Sequence, residues 1–129
     1  MIERIPPVIL VGIGGLFGAI SRYLVSGFFK NYVDFPLGTL VVNVLGSFLL
    51  SYMVTLNRMN LFDPTWLIFL GTGFMGSFTT MSTFVVETMS FSGSSLKTGA
   101  FNLLITLIMV FLGGFLGQAV AVQQIRRIL

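Results

Sequence analysis

Long apolar stretches separated by short polar segments run the whole length of this chain. Each stretch holds about 20 residues or more, the length of helix that crosses the ~30 Å hydrocarbon core of a bilayer. The stretches cover approximately residues 5–29, 37–56, 64–91 and 97–123. A loop is expected at Ser92-Gly93-Ser94-Ser95, between the last two stretches. The pattern predicts an all-α membrane protein with four transmembrane helices, forming a single membrane domain over residues 1–129.

The third stretch changes character between Gly71 and Phe84. These 14 positions hold three glycines, two serines, four threonines and three phenylalanines. Glycine and hydroxyl side chains loosen a helix, and non-helical backbone at membrane depth is tolerated only where it faces protein or a cavity. Interrupted spans of this kind mark ion or substrate sites in transport proteins. We therefore expect the third helix to be broken in the middle, with a transport site at the break.

A polar stripe crosses the second stretch, because every fourth residue is polar and residues four apart share a helix face. The stripe consists of Thr39, Asn43, Ser47, Ser51 and Thr55. The hydroxyls can bond a carbonyl of their own helix. The Asn43 amide has two donors and two acceptor sites and cannot be satisfied in that way. A functional and a structural role are both open for Asn43.

The first and fourth stretches each contain a pair of glycines four residues apart, and the first also contains an arginine. The pairs Gly14/Gly18 and Gly113/Gly117 allow another helix to approach closely. Arg22 lies about seven residues before the end of the first stretch, so it either sits deep in the membrane or extends to the interface.

Composition excludes several classes of function. Hydrophobic residues make up 55% and charged residues 9% of the chain, whereas soluble domains carry about 25% charged residues. There is no cysteine and no histidine, which removes thiolate metal ligands and the most usual general base. No nucleophile–base pair can be assembled, so an enzyme is disfavoured. The net charge of +3 is small and scattered, which argues against a nucleic-acid partner.

Positive charges are somewhat more numerous on one side of the predicted bundle than on the other. Four spans place both termini on one side, which carries Arg4, Arg58, Arg126 and Arg127. The other side carries Lys30 and Lys97, and also Arg22 if that residue lies near the end of the first span. This bias is weak under the positive-inside rule. Two topologies remain open: an ordinary orientation with the termini inside, or dual topology, in which copies insert both ways and pair antiparallel.

Three motifs lie in register with the four spans. They are Gly18-Ala19-x-x-Arg22-Tyr23, then Gly38-Thr39-Leu40-x-Val42-Asn43-x-x-Gly46-Ser47-Phe48, and then Gly73-Phe74-x-Gly76-x-Phe78-Thr79-Thr80-x-Ser82-Thr83-Phe84-x-x-Glu87. In order, spacing and total length the chain resembles the Fluc (CrcB) fluoride channels. The resemblance covers nearly the whole chain.

The resemblance implies an antiparallel, dual-topology homodimer with two pores, which exports cytoplasmic fluoride passively through the plasma membrane (the inner membrane) of a prokaryote. By the matching motifs, the fluoride pore would be lined by Asn43, Met81, Ser82, Thr83, Phe84 and Thr106. Arg22 and Glu87 would lie at pore mouths. The backbone carbonyls of Gly76 and Thr79 would hold a structural sodium ion, Na⁺, at the break in the third span.

Some positions depart from the pattern of that family. Met81 stands where the family usually has phenylalanine, and Ser77 stands where it has a second glycine. A thioether sulfur is only a weak acceptor, so we expect Met81 to weaken an anion site. The expected polar face of the fourth span runs in four-residue steps through Asn102, Thr106, Val110 and Gly114, and the last two offer no side-chain hydrogen bond.

The polar side chains in the spans suit a small, strongly hydrated anion. Serine, threonine and asparagine donate hydrogen bonds, and the edge of a phenylalanine ring carries partial positive charge. A deep lysine or arginine in the path would bind the anion harder and slow its release, so a polar and nearly uncharged set of side chains suits conduction. The same groups would suit other small solutes, so fluoride itself is implied by the resemblance.

Two other functions are compatible with four short spans. A proton-coupled small multidrug-type exporter needs a carboxylate embedded in its first span, but Glu3 precedes that span, which carries Arg22 instead. A non-transporting membrane subunit would only pack against a partner. Efflux from vesicles separates the three, because a channel needs no proton gradient and a subunit passes nothing.

Overall fold

Four helical segments, each long and apolar enough to cross a membrane, make up the structure. The computed structural model describes residues 5–30 and 35–128. The first span is α1 (Pro7–Lys30), the second is α2 (Leu37–Arg58), the third covers Pro64–Ser94 and the fourth covers Leu96–Ile128. This confirms the prediction of an all-helical chain with four helices able to span a membrane.

The third span is broken, as its composition predicts. Its pieces are α3 (Pro64–Trp66), a π-helix (Leu67–Met75), α4 (Gly76–Phe78) and α5 (Met81–Ser94), and the fourth span is α6. In the π-helix, N–H groups bond carbonyls five residues back. Between α4 and α5, Thr79 (φ −80°, ψ 158°) and Thr80 (φ −152°, ψ 114°) are extended. The helical hydrogen-bond ladder therefore stops in the middle of this span.

Asp63 caps the start of the third span. Its Oδ1 accepts hydrogen bonds from the Thr65 N–H at 2.7 Å and the Trp66 N–H at 3.4 Å. Pro64 follows at the first helical position, where no N–H is needed. The bond from the Thr65 backbone lowers the pKa of the Asp63 carboxyl below its ordinary value. The cap is therefore ionised at neutral pH, and its contribution to stability is lost only as the pH falls through that lowered pKa.

The prediction of a loop at residues 92–95 is wrong. The α5 helix continues to Ser94, and α6 begins directly after Ser95. The Ser92 hydroxyl donates to the Thr88 carbonyl at 2.9 Å, so it folds back onto its own helix instead of ending it. Only Ser95 is extended (φ −157°, ψ 116°), and this single residue makes the turn between the third and fourth spans.

Glycines allow two close helix contacts inside the chain. The α1 helix packs against the π-helix and α4, and α2 packs against α6. A Cβ on Gly18 would clash with the Phe74 carbonyl oxygen, and one on Gly117 would clash with the Phe48 carbonyl oxygen. The other glycine of each pair, Gly14 or Gly113, also meets a backbone oxygen. Both predicted pairs are therefore used within one chain and are not open to a second copy.

The two ends of the bundle differ in their charged groups. Arg58 closes α2 at one end, where Arg126 and Arg127 close α6. Lys30 closes α1 at the opposite end, near the start of α6. Arg4, which the sequence places on the same side as Arg58, lies outside the described residues. The buried core between the ends forms two clusters, one of Val42, Met53, Met75 and Phe78 and one of Leu56, Ala121 and Ile125.

Candidate functional site

The break in the third span is held by a side chain from the second. Asn43 Nδ2 donates to the Thr80 carbonyl at 3.0 Å, and the Thr80 N–H donates to Asn43 Oδ1 at 2.7 Å. The amide of Asn43 thus pairs with both backbone groups of Thr80, as a neighbouring peptide unit would. This gives Asn43 a structural role. One of its two Nδ2 hydrogens is still available to another acceptor.

Backbone carbonyls lose their helical partners at the break, and those of Gly76 and Thr79 are among them. In an unbroken α-helix the Gly76 carbonyl would accept from the Thr80 N–H, and the Thr79 carbonyl from the Thr83 N–H. Here the Thr80 N–H donates to Asn43 Oδ1 at 2.7 Å, and the Thr83 N–H donates to Thr80 Oγ1 at 3.2 Å. Gly76 and Thr79 are the residues whose carbonyls the family resemblance implies as sodium ligands. The loss of these two helical donors leaves both oxygens able to accept from, or coordinate, another group.

The surroundings of Gly76 differ from those of the glycines packed inside the chain. A Cβ built on Gly76 would meet no atom within 4 Å among the described residues, and the residue is exposed. The packing of a single chain therefore gives no reason for glycine at this position. Space is left on this face of the break for close approach by another group.

A cavity of about 220 Å³ lies beside the break, between α2, α5 and α6. Four of the six predicted pore residues line it, namely Asn43, Met81, Phe84 and Thr106. Phe84 is only 4% exposed, whereas Met81 is 66% exposed. The ring of Phe84 is therefore held by its own chain, while Met81 stands at the open side of the cavity.

The other two predicted pore residues lie outside the lining of this cavity. Ser82 and Thr83 surround the hydroxyl of Thr80 at the start of α5. Thr80 Oγ1 donates to Thr83 Oγ1 at 3.0 Å and lies 3.4 Å from Ser82 Oγ. In a single chain these hydroxyls form a cap for α5. Thr80, whose backbone and side chain organise the break, was not singled out from the sequence, because a backbone role leaves no side-chain pattern.

The cavity is uncharged and mostly apolar, with a few polar groups in its wall. None of the described residues that line it is ionisable. The hydroxyls of Thr79, Thr80 and Thr106 donate within the chain, to the Met75 carbonyl, Thr83 Oγ1 and Asn102 Oδ1. The side-chain donors left for a ligand are one Nδ2 hydrogen of Asn43 and the Ser47 hydroxyl. The N-terminus of α5 also begins here, and the first N–H groups of a helix lack intrahelical partners and carry partial positive charge. The site offers donors to an anion and no countercharge that would hold it.

A second cavity, of about 380 Å³, continues the first along α2 and α6. The two cavities share Ser47, Leu50 and Val110, and the second adds Ser51 and Gln118. The hydroxyls of Ser47 and Ser51 make no hydrogen bond to any described residue, whereas Thr55 donates to the Ser51 carbonyl at 2.7 Å. Ser47 and Ser51 therefore supply free donors opposite the apolar part of α6, and Thr55 does not.

Gln118 is a lining residue that sequence reasoning missed. It lies four residues after Gly114, and Gly114 follows Thr106 and Val110 in the same four-residue series. Continuing that series by one more step would have identified it. Its amide places a donor and an acceptor at the end of a face that has no hydrogen-bonding side chain at Val110 and Gly114.

A third cavity, of about 480 Å³, opens at the end of the bundle where α1 and α5 finish. Lys30, Thr39 and Glu87 are among its lining residues. Thr39 Oγ1 donates to Glu87 Oε1 at 2.8 Å. Glu87 thus lines an opening at this end of the bundle, while Arg22 is not among the lining residues. Arg22 Nε and Glu87 Oε2 are buried and have no hydrogen-bond partner within the described residues.

No carboxylate-based metal site is present in the part of the chain that the structure describes. Among these residues no group of three His, Cys, Asp or Glu side chains could hold a metal ion.

Known proteins are similar to this chain over most of its length. The model of the family described as "CrcB-like protein, Camphor Resistance (CrcB)" matches residues 9–118. A protein from Pyrococcus horikoshii named "Fluoride-specific ion channel FluC" is 47% identical over 116 residues, which cover 84% of this chain and 94% of the relative.

Relatives from other organisms carry the same name. The protein from Thermosipho melanesiensis is 51% identical over 87 residues, covering 64% of this chain and 69% of the relative. The one from Methanocaldococcus jannaschii is 41% identical over 117 residues, covering 87% and 94%. The resemblance found in the motifs is thus confirmed, and the expectation of a channel and not an enzyme agrees with it. The chain belongs to the CrcB-like family, whose relatives named here are fluoride-specific ion channels.

Proposed function

We propose that this protein is a passive, fluoride-selective ion channel that exports fluoride from the cytoplasm. The observation that carries the proposal is the uncharged, donor-lined cavity at the break of the third span, with Asn43, Phe84 and Thr106 on its walls. Such a cavity in a chain whose relatives are named fluoride channels fits the passage of a small anion.

The cavity residues have separate tasks in conduction. Fluoride gives up water when it enters, and the free Nδ2 hydrogen of Asn43 and the hydroxyl of Ser47 replace part of that hydration. The edge of the Phe84 ring presents partial positive charge without forming a strong bond. Because no lysine or arginine lines the cavity, the ion leaves easily, and conduction needs binding that is weak enough for release. From there Ser47, Ser51 and Gln118 continue the path as donors.

The first expected result concerns the choice of ion. Vesicles loaded with fluoride and containing the purified protein should empty without ATP and without a proton gradient. Vesicles loaded with chloride should retain their ion at the rate of protein-free vesicles. Efflux that requires an imposed proton gradient would instead support an exporter, and equal rates for both halides would contradict selectivity.

The working unit that we propose is an antiparallel homodimer with two pores. Three residues inside the third span, Thr72, Gly76 and Ser82, are exposed in the single chain, and exposed polar groups at membrane depth need a protein or water neighbour. A second copy against the broken span would cover these three residues.

Dual topology predicts that both orientations occur in one membrane. One end carries four positive residues and the other two or three, a weak bias that favours neither orientation strongly. In intact cells, an epitope placed after Leu129 should be labelled on about half of the molecules and protected from label on the others. Labelling of all copies, or of none, would show a single orientation.

A structural sodium ion fits the carbonyls at the break. The oxygens of Gly76 and Thr79 have lost their helical donors to Asn43 and Thr80, and an unmet backbone group in a dry interior costs several kcal/mol. In an antiparallel dimer these oxygens would come from both copies. A bound sodium ion supplies positive charge that satisfies them and joins the two chains, while the residues of the pore carry the anion.

Phe84 and Met81 should differ in their importance for flux. We expect Phe84→Leu to reduce fluoride efflux by about tenfold, equivalent to about 1.4 kcal/mol of barrier height, because the ring is buried against the cavity. Met81→Phe should preserve or raise efflux, since it adds a ring edge at the open side of the same cavity. Normal efflux in Phe84→Leu together with loss in Met81→Phe would mean that the two pore positions are wrongly assigned.

A further inference from the structure

Asn102 is a fully buried amide that joins the fourth span to the third. It is 1% exposed and lies on the face of α6 that packs against α5. Its Nδ2 donates to Thr88 Oγ1 at 2.8 Å. On its other side, Thr106 Oγ1 lies 3.5 Å from Asn102 Oδ1, at the limit of a hydrogen bond. A buried polar side chain is costly unless it is bonded, so these contacts give Asn102 a defined partner on α5.

Thr88 passes this contact on to the backbone of α5. Its hydroxyl hydrogen is donated to the Phe84 carbonyl at 2.8 Å, while its oxygen accepts from Asn102. Asn102, Thr88 and the Phe84 carbonyl thus form a chain of hydrogen bonds, and such chains strengthen one another in a low-dielectric interior. The chain ends on the residue whose ring lines the cavity.

Other hydroxyls in the spans lack this second bond. Thr55 and Ser90 also donate to the carbonyl four residues back, at 2.7 and 2.8 Å. Neither receives a donor from another helix within the described residues. Thr88 therefore differs from them in one respect, which is the hydrogen bond from Asn102.

The break makes such a contact necessary for orientation. In a continuous helix the rotation of α5 about its axis would follow from α4 through the hydrogen-bond ladder. Thr79 and Thr80 are extended, so that ladder is interrupted and the rotation of α5 has to be set by other helices. Adjacent residues on a helix point about 100° apart. Thr39 of α2 bonds Glu87, and Asn102 of α6 bonds Thr88, the next residue of α5. Because these two contacts point in different directions, together they fix the rotation of α5 about its axis, which either contact alone would leave free.

We propose, resting on the fluoride-channel function, that Asn102 is a positioning residue that acts through Thr88 to set the rotation of α5 and so directs the Phe84 ring toward the cavity. Asn102 itself need not touch the ion. Close packing of the same two helices supports this role, because a Cβ on Gly99 would meet Ser92 Cβ at 2.9 Å. One turn further along α6, Asn102 supplies the directional contact.

The test uses four single substitutions and one double variant in reconstituted vesicles. Thr88→Val keeps the shape but removes both hydrogen bonds, while Thr88→Ser keeps them. Thr55→Val removes a hydroxyl that bonds only its own helix. We expect Asn102→Leu and Thr88→Val each to lower fluoride efflux by about tenfold, a loss typical of a coupled buried contact. Thr88→Ser and Thr55→Val should stay within about twofold of the unmodified protein.

The double variant separates positioning from general destabilisation. If Asn102 acts through the ring, Asn102→Leu should cause no further loss in a Phe84→Leu background. The same tenfold loss in both backgrounds, or equal losses in Thr55→Val and Thr88→Val, would overturn the proposal. If Asn102→Leu does not fold, Thr88→Val combined with Phe84→Leu provides the same comparison.

A second readout does not depend on fluoride. The chain has no cysteine, so Met81→Cys gives a single thiol at the start of α5, where a small water-soluble thiol reagent can reach it. Adding Thr88→Val should change the rate of modification, and adding Thr55→Val should not. Unmodified protein that passes no fluoride would refute the channel function, and the thiol rates would still decide whether Thr88 orients α5. Unchanged thiol rates in an active channel would refute the positioning role alone.

Discussion

Asn43→Asp should lower fluoride efflux by about a thousandfold, because it changes two things at once. The new carboxylate puts a like charge beside the anion, which costs about 4 kcal/mol at 4 Å with an effective dielectric constant near 20. It also removes the Nδ2 donor that bonds the Thr80 carbonyl at 3.0 Å, and an unsatisfied buried group costs about 1–3 kcal/mol. Efflux from vesicles measures the first effect, and the thermal midpoint in detergent measures the second.

Asn57→Asp is the matched control for this substitution. Asn57 also lies on α2 and its Nδ2 also donates to a backbone carbonyl, that of Phe62, at 2.8 Å. It lies in the last turn of the helix, away from the cavities at the break. We expect Asn57→Asp to lower the thermal midpoint while efflux stays within about threefold. More than a tenth of normal efflux in Asn43→Asp would show that Asn43 does not stand on the ion path.

Gly76→Leu should abolish both the dimer and its response to sodium. The fold of one chain has room for the side chain, because a Cβ on Gly76 meets no described atom within 4 Å. In the proposed dimer the same space belongs to the second copy, so the leucine would prevent close approach. We expect the variant to run as a monomer in detergent and to lose fluoride efflux. Overpacking of this kind costs about 1–3 kcal/mol or more.

Sodium dependence is read from the thermal midpoint of the same preparations. A ligand that binds only the folded state stabilises it by about 2.7 kcal/mol at one hundred times its dissociation constant. The unmodified protein should therefore melt at a higher temperature in sodium than in a large organic cation, and Gly76→Leu should not. Gly93→Leu serves as the control, since Gly93 is equally open within the chain but lies near the end of α5. A dimeric Gly76→Leu variant that keeps the sodium response would contradict both the cation site and the interface.

The sequence predicts the broken helix because the signal is local. Glycines and hydroxyl residues concentrated in one apolar stretch weaken the ladder wherever they fall, and Asp63-Pro64 is a start signal in any context. The four-residue stripe of α2 likewise predicts a shared face, which places Asn43, Ser47 and Ser51 along neighbouring cavities.

Features that depend on a partner elsewhere in the chain were not accessible to that reasoning. The backbone of Thr80 is paired with Asn43, 37 positions away, and no local pattern shows it. The glycine pairs that contain Gly18 and Gly117 indicate close helix packing, but they do not indicate which helix is the partner. In the structure both pairs pack against helices of the same chain. The serines at residues 92–95 favour a loop in isolation, yet the Ser92 hydroxyl can also bond its own helix, as it does.

The bond between Asn43 and Thr80 has a consequence for the order in which the protein is assembled. A chain is synthesised and folds from its N-terminus, so α2 enters the bilayer before the third span is made. When the third span follows, the amide of Asn43 is already in place to receive the open N–H and C=O groups of Thr80. Without α2, those groups would face lipid at a cost of several kcal/mol each. The first helical hairpin therefore serves as a template for the second, and a fragment that begins at residue 64 should insert poorly by itself.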